Sequence, residues 1–491
     1  MKKKWAAVLV MLMLIMIMTG AVLAACSDKE PAEESAGRVL HVSADGSDET
    51  GDGSVENPFA TPAYAAIQAE PGTEVIVHGG KYGQFELDGE ASGTEAEPVV
   101  IRAAEGEKAV IESAPGNAEA DENSIGIHLV NVENITIDGF EVTGGTHGIY
   151  YESLPERGEK PLENITISNC KVHGVRGTHG ICVYAENDLS PVKNFTMEGC
   201  EVFDCECSDS ESTVFNGNID GFTIRDNVIH DNNNIGIDMI GFEGTAMHDG
   251  SDFDNPYDAD YVRNGECCGN TVYNISSEGN EAYLEDGEYD LCADGIYVDG
   301  GQDIKIHDNF IFSCDIGMEI ATEHSPDDNE LFKVSGIEVY DNVIAGCKNG
   351  YGMCFGGYDA DLGFTENCSF HNNTFVDNET TVGVQRSRNN KIYDNIFAGD
   401  GTGLEFNPDC REEDLLNEFG ENIWCFDCED SFEDRCDAGD YDLERLVDTN
   451  KQLLIPERED VLDGLRSLKE GKGSSFVPDE EYLNIYESKE D

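Results

Sequence analysis

A unit that recurs every 30 residues constrains the fold of this chain more than any other feature of its sequence. It reads Asn-Ile-Thr-Ile-Asp-Gly-Phe-Glu-Val from Asn134, Asn-Ile-Thr-Ile-Ser-Asn-Cys-Lys-Val from Asn164 and Asn-Phe-Thr-Met-Glu-Gly-Cys-Glu-Val from Asn194. Related units begin at Phe222, Ile304, Ile337, Cys368 and Lys391. Repeats of this length with alternating apolar and polar residues indicate short strands stacked coil on coil.

A second strand follows in each coil, with the pattern Gly-apolar-x-apolar. It begins at Gly126, Gly148, Gly180, Gly236, Gly295, Gly317, Gly352 and Gly403. Parallel sheets that wind around a solid apolar core pair every strand edge except those at the two ends. The pattern therefore predicts an all-β protein, a parallel β-helix.

One turn position of each coil holds a residue whose amide or thiol can stack on its neighbours. These residues are Cys170, Cys200, Asn227, Asn270, Asn309, Asn342, Asn373 and Asn395. Stacked asparagine amides can bond to one another and to the turn backbone. We therefore predict an asparagine ladder.

The N-terminus has the layout of a lipoprotein signal. Three lysines precede an apolar run that ends in Leu23-Ala24-Ala25-Cys26, which predicts cleavage after residue 25 and lipidation of Cys26. Residues 26–37 are polar and read as a tether. We expect the mature protein to be anchored by Cys26 to the extracellular side of a bacterial cell membrane.

Acidic residues outnumber basic ones by 101 to 30, and the formal net charge is −71. Nucleic acid is excluded as a partner because phosphate contacts require an excess of Lys and Arg. Such a charge also repels polyuronates unless bound divalent cations reverse the local field. An acidic, solvated surface that keeps an exported protein soluble accounts for the charge as well.

Of the 17 cysteines, those beyond Cys26 form an even set that is compatible with disulfides or with buried free thiols. Cys425-x-x-Cys428, with Cys410 and Cys436 nearby, offers a zinc knot as an alternative. We favour disulfides or free thiols because no histidines stand at ligand spacing.

We divide the chain into a signal peptide (1–25), a tether (26–37), a β-helix (38–440) and an acidic C-terminal cap or tail (441–491), and expect a monomer.

Alternation along the Gly-apolar-x-apolar strands predicts two rows of outward side chains. The first row holds His128, Tyr150, Cys182, Asp238, Tyr297, Glu319, Cys354 and Glu405, and the second holds Glu152, Tyr184, Asp299, Gly356 and Asn407. Strand and coil spacings place Asp299 and Glu319 about 8 Å apart, within the range of carboxylate pairs that flank a glycosidic bond.

The candidate catalytic residues are therefore Asp238, Asp299, Glu319, Glu323 and His324. The insertion at residues 242–292 is long enough to form a wall beside them. Simple solvated acids are the alternative.

Aromatic and basic residues near these acids are candidates for binding sugar. Tyr150, Tyr184 and Tyr297 offer flat rings, and we expect Tyr297 to be a surface on which a sugar ring stacks. Arg176, His179 and Arg386 offer polar contacts, although stacked turn residues and local ion pairs explain these three as well.

The chain resembles polysaccharide lyase family 9 and its right-handed parallel β-helix relatives over roughly residues 39–430. The similarity lies in His41-Val-Ser-Ala-Asp-Gly-Ser-Asp, Gly53-Ser-Val-Glu-Asn-Pro-Phe-Ala-Thr, Glu70-Pro-Gly-Thr-Glu-Val-Ile-Val and Gly79-Gly-Lys-Tyr. The resemblance implies a pectate-lyase-like solenoid. It also implies a calcium ion, with Asp238, Asp294 and Asp299 as candidate ligands, and a lysine base. However, only the last acid of the family's Asp-Asp-Gly-x-Asp segment is present, at Asp238, and no lysine flanks it.

The leading hypothesis is thus a surface polysaccharide lyase, assisted by calcium. A glycoside hydrolase with paired carboxylates is the first alternative. A non-catalytic β-helix protein that binds surface glycans is the second.

Overall fold

The computed structural model describes residues 37–115, 124–248, 253–358, 362–399, 401–407, 417–420, 422–425, 451–452 and 471–489. Residues from Val39 onward form one compact unit. The predicted signal peptide, the lipidation site Cys26 and nearly all of the tether lie outside the described residues. Within the described residues, no helix is both long and apolar enough to cross a membrane.

In the described part of the chain, three long parallel sheets of 13, 13 and 11 strands wind around one core. Sheet 1 consists of Val39–Val42, Glu74–Val77, Val99–Ala103, Ile135–Asp138, Leu162–Ser168, Val192–Glu198, Asp220–Arg225, Arg263–Cys268, Lys305–His307, Glu338–Tyr340, Ser369–His371, Lys391–Tyr393 and Glu418–Phe419. Sheet 2 consists of Gly80–Gly83, Ala109–Pro115, Glu141–Gly145, Lys171–His173, Glu201–Phe203, Val228–Asn232, Thr271–Ile275, Phe310–Phe312, Val343–Ala345, Thr374–Val376, Ile396–Ala398, Ile423–Cys425 and Lys451–Gln452. Sheet 3 consists of Phe85–Leu87, Ile125–Val130, His147–Ser153, His179–Ala185, Thr213–Gly217, Ile237–Ile240, Asp294–Asp299, Ile316–Ala321, Tyr351–Phe355, Thr380–Val384 and Thr402–Phe406.

The predicted parallel β-helix is confirmed. The 30-residue unit supplies a strand of sheet 1 and then one of sheet 2, as Thr166 pairs with Thr136 and Thr196 in register. The Gly-apolar-x-apolar strands supply sheet 3. Smaller elements are a hairpin (Leu284–Glu285 and Glu288–Tyr289), a three-stranded sheet (Val334–Ser335, Thr365–Glu366 and Ser387–Arg388), two α-helices (Pro62–Ile67 and Glu480–Lys489) and three 3₁₀ turns (Gly89–Ala91, Pro155–Arg157 and Glu281–Tyr283).

Glycine starts the sheet 3 strands because neighbouring coils approach closely there. A Cβ on Gly236 would lie 2.6 Å from the carbonyl oxygen of Gly295, and one on Gly295 would lie 2.7 Å from that of Gly317. Contacts this short exclude any side chain. These glycines therefore fix where each coil enters sheet 3.

The asparagine ladder is also confirmed. Asn270, Asn309 and Asn342 are buried, and the Nδ2 of Asn270 donates to the Oδ1 of Asn309 at 3.0 Å while that of Asn309 donates to Asn342 at 2.9 Å. Each Oδ1 also accepts the backbone N–H of the preceding coil's asparagine, as in Asn309 to Asn342 at 3.1 Å. The ladder thus satisfies polar groups that the turns would otherwise bury unpaired.

Twelve cysteines in the described part of the chain are free thiols. Ten are buried and two, Cys268 and Cys292, are partly exposed. The apolar surroundings of most of them suit a small hydrophobic side chain. Cys410, Cys428 and Cys436 of the zinc-knot alternative lie outside the described residues.

The two α-helices cover different parts of the solenoid. Pro62–Ile67 contacts strands of sheets 1 and 3 near the N-terminus and buries Ala65 and Ala66. Glu480–Lys489 packs through Tyr486 against the outer face of sheet 2, at Phe310 and Phe312. The described end of the predicted C-terminal cap therefore covers a flank, because sheet 2 presents an apolar stripe there.

Candidate active site on sheet 3

The first outward row of sheet 3 aligns a carboxyl, a phenol and a second carboxyl. Asp238 lies directly opposite Tyr297, and Tyr297 lies directly opposite Glu319 on the next strand. Asp294 and Asp299 begin and end the strand that carries Tyr297. Tyr297 thus lies between Asp238 and Glu319 across the sheet, and Asp299 follows it by two residues on the same strand.

Four of these side chains are largely buried. Asp238 is 2% exposed, Asp294 3%, Asp299 5% and Tyr297 7%. The expectation that Tyr297 offers an open stacking surface is therefore wrong. The chain on either side covers its ring.

Three further acids lie at the rim, and two of them, Glu211 and Glu243, extend the candidate set. Glu323 is exposed, and its backbone N–H donates to Asp299 Oδ1 at 3.2 Å. Glu243 is exposed and accepts a 2.7 Å hydrogen bond from Asn216 Nδ2. Glu211 is partly buried in the coil before Asp238. Sequence reasoning missed Glu211 and Glu243, which lie outside the Gly-apolar-x-apolar pattern.

The acids raise one another's pKa values. Burial, then Glu211, Asp299, Glu243 and Asp294, hold the pKa of Asp238 well above its usual range. Burial and then Glu323 act in the same direction on the pKa of Asp299. The inner carboxyl groups are thereby kept protonated far above the pH at which a solvated carboxyl ionises.

Burial also raises the pKa values of Asp294, Glu319 and Glu211. Burial and then Glu319 hold the pKa of Asp294 well above its usual range. Burial raises the pKa of Glu319 to about 7, with a thiol hydrogen bond from Cys354 opposing the shift and Glu323 adding to it. Burial raises the pKa of Glu211 to about 8. Two of these groups therefore exchange protons near neutral pH.

Two carboxyl oxygens in this cluster have no protein partner. Among the described residues, Asp238 Oδ1 and Asp294 Oδ1 are buried without a hydrogen bond. A buried oxygen left in this state costs about 1–3 kcal/mol, so a ligand, an ion or ordered water is expected to satisfy it. These two oxygens are therefore the atoms of the cluster at which such a ligand, ion or water would bind.

The candidate calcium ligands Asp238, Asp294 and Asp299 fit the ion in chemistry but not in arrangement. Calcium takes carboxylate oxygens at about 2.4 Å, so its ligand atoms lie within about 4.8 Å of one another. Among the described residues, the one set of three such side chains that meets this limit is elsewhere. Asp299 lies opposite Ala321, two residues beyond the Asp238 row. The three acids therefore form no ready-made calcium site.

The insertion at residues 242–292 supplies part of the rim. The Tyr283 hydroxyl accepts a hydrogen bond from Asn234 Nδ2 at 3.1 Å, and Glu211 and Glu323 are among the charges that act on its phenol. The insertion thus borders the carboxyl cluster, as its length predicted.

A histidine and tyrosine row continues the same face toward the N-terminus. His147 stacks on Tyr150 at 5.1 Å, and His179 lies 5.4 Å from His147. The Tyr184 hydroxyl lies 3.2 Å from His179 Nε2. Of the predicted sugar contacts, Tyr150, His179 and Tyr184 therefore share one surface that leads to Glu211.

The remaining candidates make contacts with neighbouring side chains. His324 packs against Phe332, with ring centroids 5.2 Å apart. Arg176 pairs with Asp204 and Glu206 at the edge of another sheet. Arg386 is 3% exposed and lies over the Phe364 ring. These contacts with nearby side chains explain the observed positions of Arg176 and Arg386 without a bound sugar.

Comparisons with known proteins agree with the fold. A profile described as "Pel9A-like, right handed beta helix region" matches residues 40–237, and one described as "Periplasmic copper-binding protein (NosD)" matches residues 251–422. The uncharacterized protein YwoF of Bacillus subtilis is 35% identical over 437 residues, which cover 84% of this chain and 85% of YwoF. The chain belongs to the same family as YwoF.

One further relative and one solved structure with a similar fold are enzymes by name. Pectate lyase PEL9 of Emericella nidulans is 28% identical over 193 residues, or 36% of this chain and 46% of PEL9. The GH136 lacto-N-biosidase of Eubacterium ramulus superposes with a TM-score of 0.51 at 15% identity, over 79% of this chain and 67% of that one. The second likeness concerns the fold alone. The family and the fold expected from the sequence are thereby confirmed.

Proposed function

We propose that the protein cleaves a polysaccharide by general acid catalysis from Glu319, with Glu323 as the carboxylate partner. The observation that carries this proposal is the placement of Glu319 beside a buried carboxyl cluster, with its pKa raised to about 7 by burial. A carboxyl with such a pKa is still partly protonated at neutral pH and can protonate the leaving oxygen of a glycosidic bond. Glu323, which is exposed at the rim, accepts a proton from the attacking water.

The charge of the site favours a neutral or amino sugar over a uronate. The charges that raise the pKa values of Asp238, Asp294 and Asp299 are other carboxylates. A uronate carboxylate is repelled by the rim acids Glu243 and Glu323, which are exposed, and the charges that act on the cluster include no lysine that could serve as a base of the lyase type. Hydrolysis with paired acids therefore fits the site better than elimination.

A calcium-assisted polysaccharide lyase is the second candidate, and the relation to PEL9 favours it. The unpartnered oxygens of Asp238 and Asp294 would then take part in holding the ion, after the carboxyl groups had moved closer together. A bound calcium would reverse the local field and admit a uronate.

One set of assays separates these functions. Purified protein is incubated with neutral, amino-sugar and uronic acid glycans, with and without calcium, while reducing ends and the ultraviolet absorbance of unsaturated products are followed. We expect new reducing ends without unsaturated products, and a fall of about 10²–10⁴-fold in E319Q. Unsaturated products that require calcium would instead establish the lyase.

Glu405 provides the matched control, since it lies in the same row of sheet 3 three coils beyond Glu319. The E405Q variant is expected to keep full activity. If E319Q and E323Q bind glycan and the parent shows no turnover on any substrate, the protein is a glycan-binding surface protein.

The predicted lipoprotein signal supports the proposal that this activity is located on the extracellular side of the cell membrane, with Cys26 as the anchor. Cells that express the C26S variant are expected to lose labelling of the protein by a radioactive fatty acid. Equal labelling of C26S and the parent would contradict the anchor.

A further inference from the structure

Glu266, Cys268 and His307 form a compact group on the outer face of sheet 1, away from the carboxyl cluster of sheet 3. They come from the adjacent strands Arg263–Cys268 and Lys305–His307, and Cys268 lies directly opposite His307. One oxygen, one sulfur and one nitrogen of these side chains all lie within 4.8 Å of one another. Among the described residues, they are the one set of three His, Cys, Asp or Glu side chains with this property.

We propose that Glu266, Cys268 and His307 bind a late first-row divalent metal ion, with Zn²⁺ as the ion that fits best. Thiolate, imidazole and carboxylate are the ligand types that zinc takes in proteins, at about 2.3, 2.0 and 2.1 Å. Around a tetrahedral ion these lengths separate ligand atoms by about 3.3–3.8 Å. The group therefore needs only small side-chain movements to close on the ion and leaves a fourth position open.

A second carboxylate orients the imidazole. His307 Nε2 lies 2.9 Å from Glu266 Oε1, and its Nδ1 lies 2.8 Å from Asp308 Oδ2. A metal-bound histidine commonly donates its other N–H to a carboxylate, which fixes the tautomer and the ring. Tyr340 stacks on the same ring at 4.6 Å between centroids. His307 is thus held with Nε2 directed at the other two ligands.

The chain contains its own comparison site two coils further along sheet 1. Glu338, Tyr340 and His371 occupy the same relative positions, since Tyr340 lies opposite His371. His371 Nε2 lies 3.4 Å from Glu338 Oε1 and its Nδ1 lies 2.9 Å from Asn372. A Glu–His pair is therefore a common contact of this sheet. What distinguishes the first site is the thiol of Cys268 and the carboxylate of Asp308.

The thiol must lose its proton when the ion binds. Burial, and then the charges of Glu266, Asp226 and Asp308, raise the pKa of Cys268 to about 11. The same carboxylates that discourage a bare thiolate attract a divalent cation. Affinity for zinc should therefore rise with pH, as bound protons are released.

The test is a zinc titration by calorimetry on the purified protein in a non-thiol reductant. We expect C268S and H307Q each to lose one equivalent of zinc relative to the parent, because each removes one of three ligands. The controls are H371Q at the comparison site and C292S at the other partly exposed thiol; both should keep the parent stoichiometry. Unchanged stoichiometry in C268S would overturn the proposal.

A spectroscopic measurement tests the same site without relying on the zinc stoichiometry or on a difference in folding between the variants. The parent loaded with Co²⁺ should show a sulfur-to-cobalt charge-transfer band, and the absorbance of this band should fall in C268S by the contribution of one thiolate. The two apo proteins should unfold at the same temperature. A spectrum identical in the parent and C268S would also overturn the proposal.

Discussion

Asp238 lies directly opposite Tyr297 on adjacent parallel strands, so that a buried carboxyl is fixed beside a buried phenol. Burial comes first among the causes that hold the pKa of each of them well above its usual range. Both groups are therefore neutral where solvated carboxyl groups are charged. These groups therefore keep protons that solvated carboxyl groups would have lost. We expect a bound ligand to determine which of the groups is deprotonated.

The first prediction is that the folded protein loses stability as the pH rises from about 5 to about 8. Burial raises the pKa of Glu211 to about 8 and that of Glu319 to about 7. Both values exceed those of the unfolded chain, so the folded state binds more protons in this window. Each extra proton lowers the free energy of unfolding by about 1.4 kcal/mol per pH unit. Urea unfolding at several pH values measures the slope.

The glutamine variants identify the source of this slope. E211Q and E319Q should each flatten the curve between the pKa of an unfolded glutamate and the raised pKa of the replaced group, about 8 for Glu211 and about 7 for Glu319, because the amide has no proton to lose. E405Q, at an acid outside the cluster, should leave it unchanged. A slope that is equal in all four proteins would show that other groups cause the pH dependence.

The second prediction concerns the rate of glycan cleavage. If Glu319 is the general acid, kcat/KM should fall about tenfold per pH unit above pH 7, because the free enzyme must carry the Glu319 proton. The profile is measured on the parent with the glycan that it cleaves. A rate that stays constant from about pH 6 to pH 9 would remove Glu319 from that role.

The sequence predicted the solenoid and one side of the site because both follow from local periodicity. Alternation placed Asp238, Tyr297 and Glu319 in one outward row, and the register confirms that row. A glycine near the start of eight of the eleven described sheet 3 strands marks their register in the sequence alone.

Other parts of the site depend on how distant segments meet, which periodicity does not encode. Glu211 and Glu243 reach the cluster from loops, and the cover over Tyr297 depends on surrounding chain. The packing of the helix Glu480–Lys489 was missed for the same reason, since its position is set by an apolar stripe on sheet 2 and not by its own acidic sequence.

The third prediction tests the asparagine ladder at its centre. Asn309 donates to Cys267 O at 3.0 Å and to Asn342 Oδ1 at 2.9 Å, and it accepts from Asn270 N at 2.9 Å. N309A leaves buried groups of two coils unpaired and should lower the free energy of unfolding by about 2–5 kcal/mol. N57A, which removes an exposed hydrogen bond to Thr50, should cost less than about 1 kcal/mol. Similar losses in the two variants would contradict a structural role for the ladder.

The fourth prediction concerns the C-terminal helix Glu480–Lys489. Tyr486 is buried, with its ring centroid 6.5 Å from that of Phe310 and 5.9 Å from that of Phe312. Y486A removes a large apolar contact and should weaken docking by about 3 kcal/mol, in the range of large-to-small changes at aromatic positions. The helix should then undock while the sheets persist, because the coils are paired independently of it.

Limited proteolysis measures this local release. The C-terminal segment of Y486A should be cleaved at least tenfold faster than that of the parent, while the fragment that contains the three sheets stays intact. Glu487 is exposed on the same helix, so E487A serves as the control and should be cleaved at the parent rate. Equal cleavage of Y486A and E487A would show that the helix does not depend on its contact with Phe310 and Phe312. Uncovering those two phenylalanines should also increase the fluorescence of a hydrophobic dye, because it exposes an apolar stripe on sheet 2.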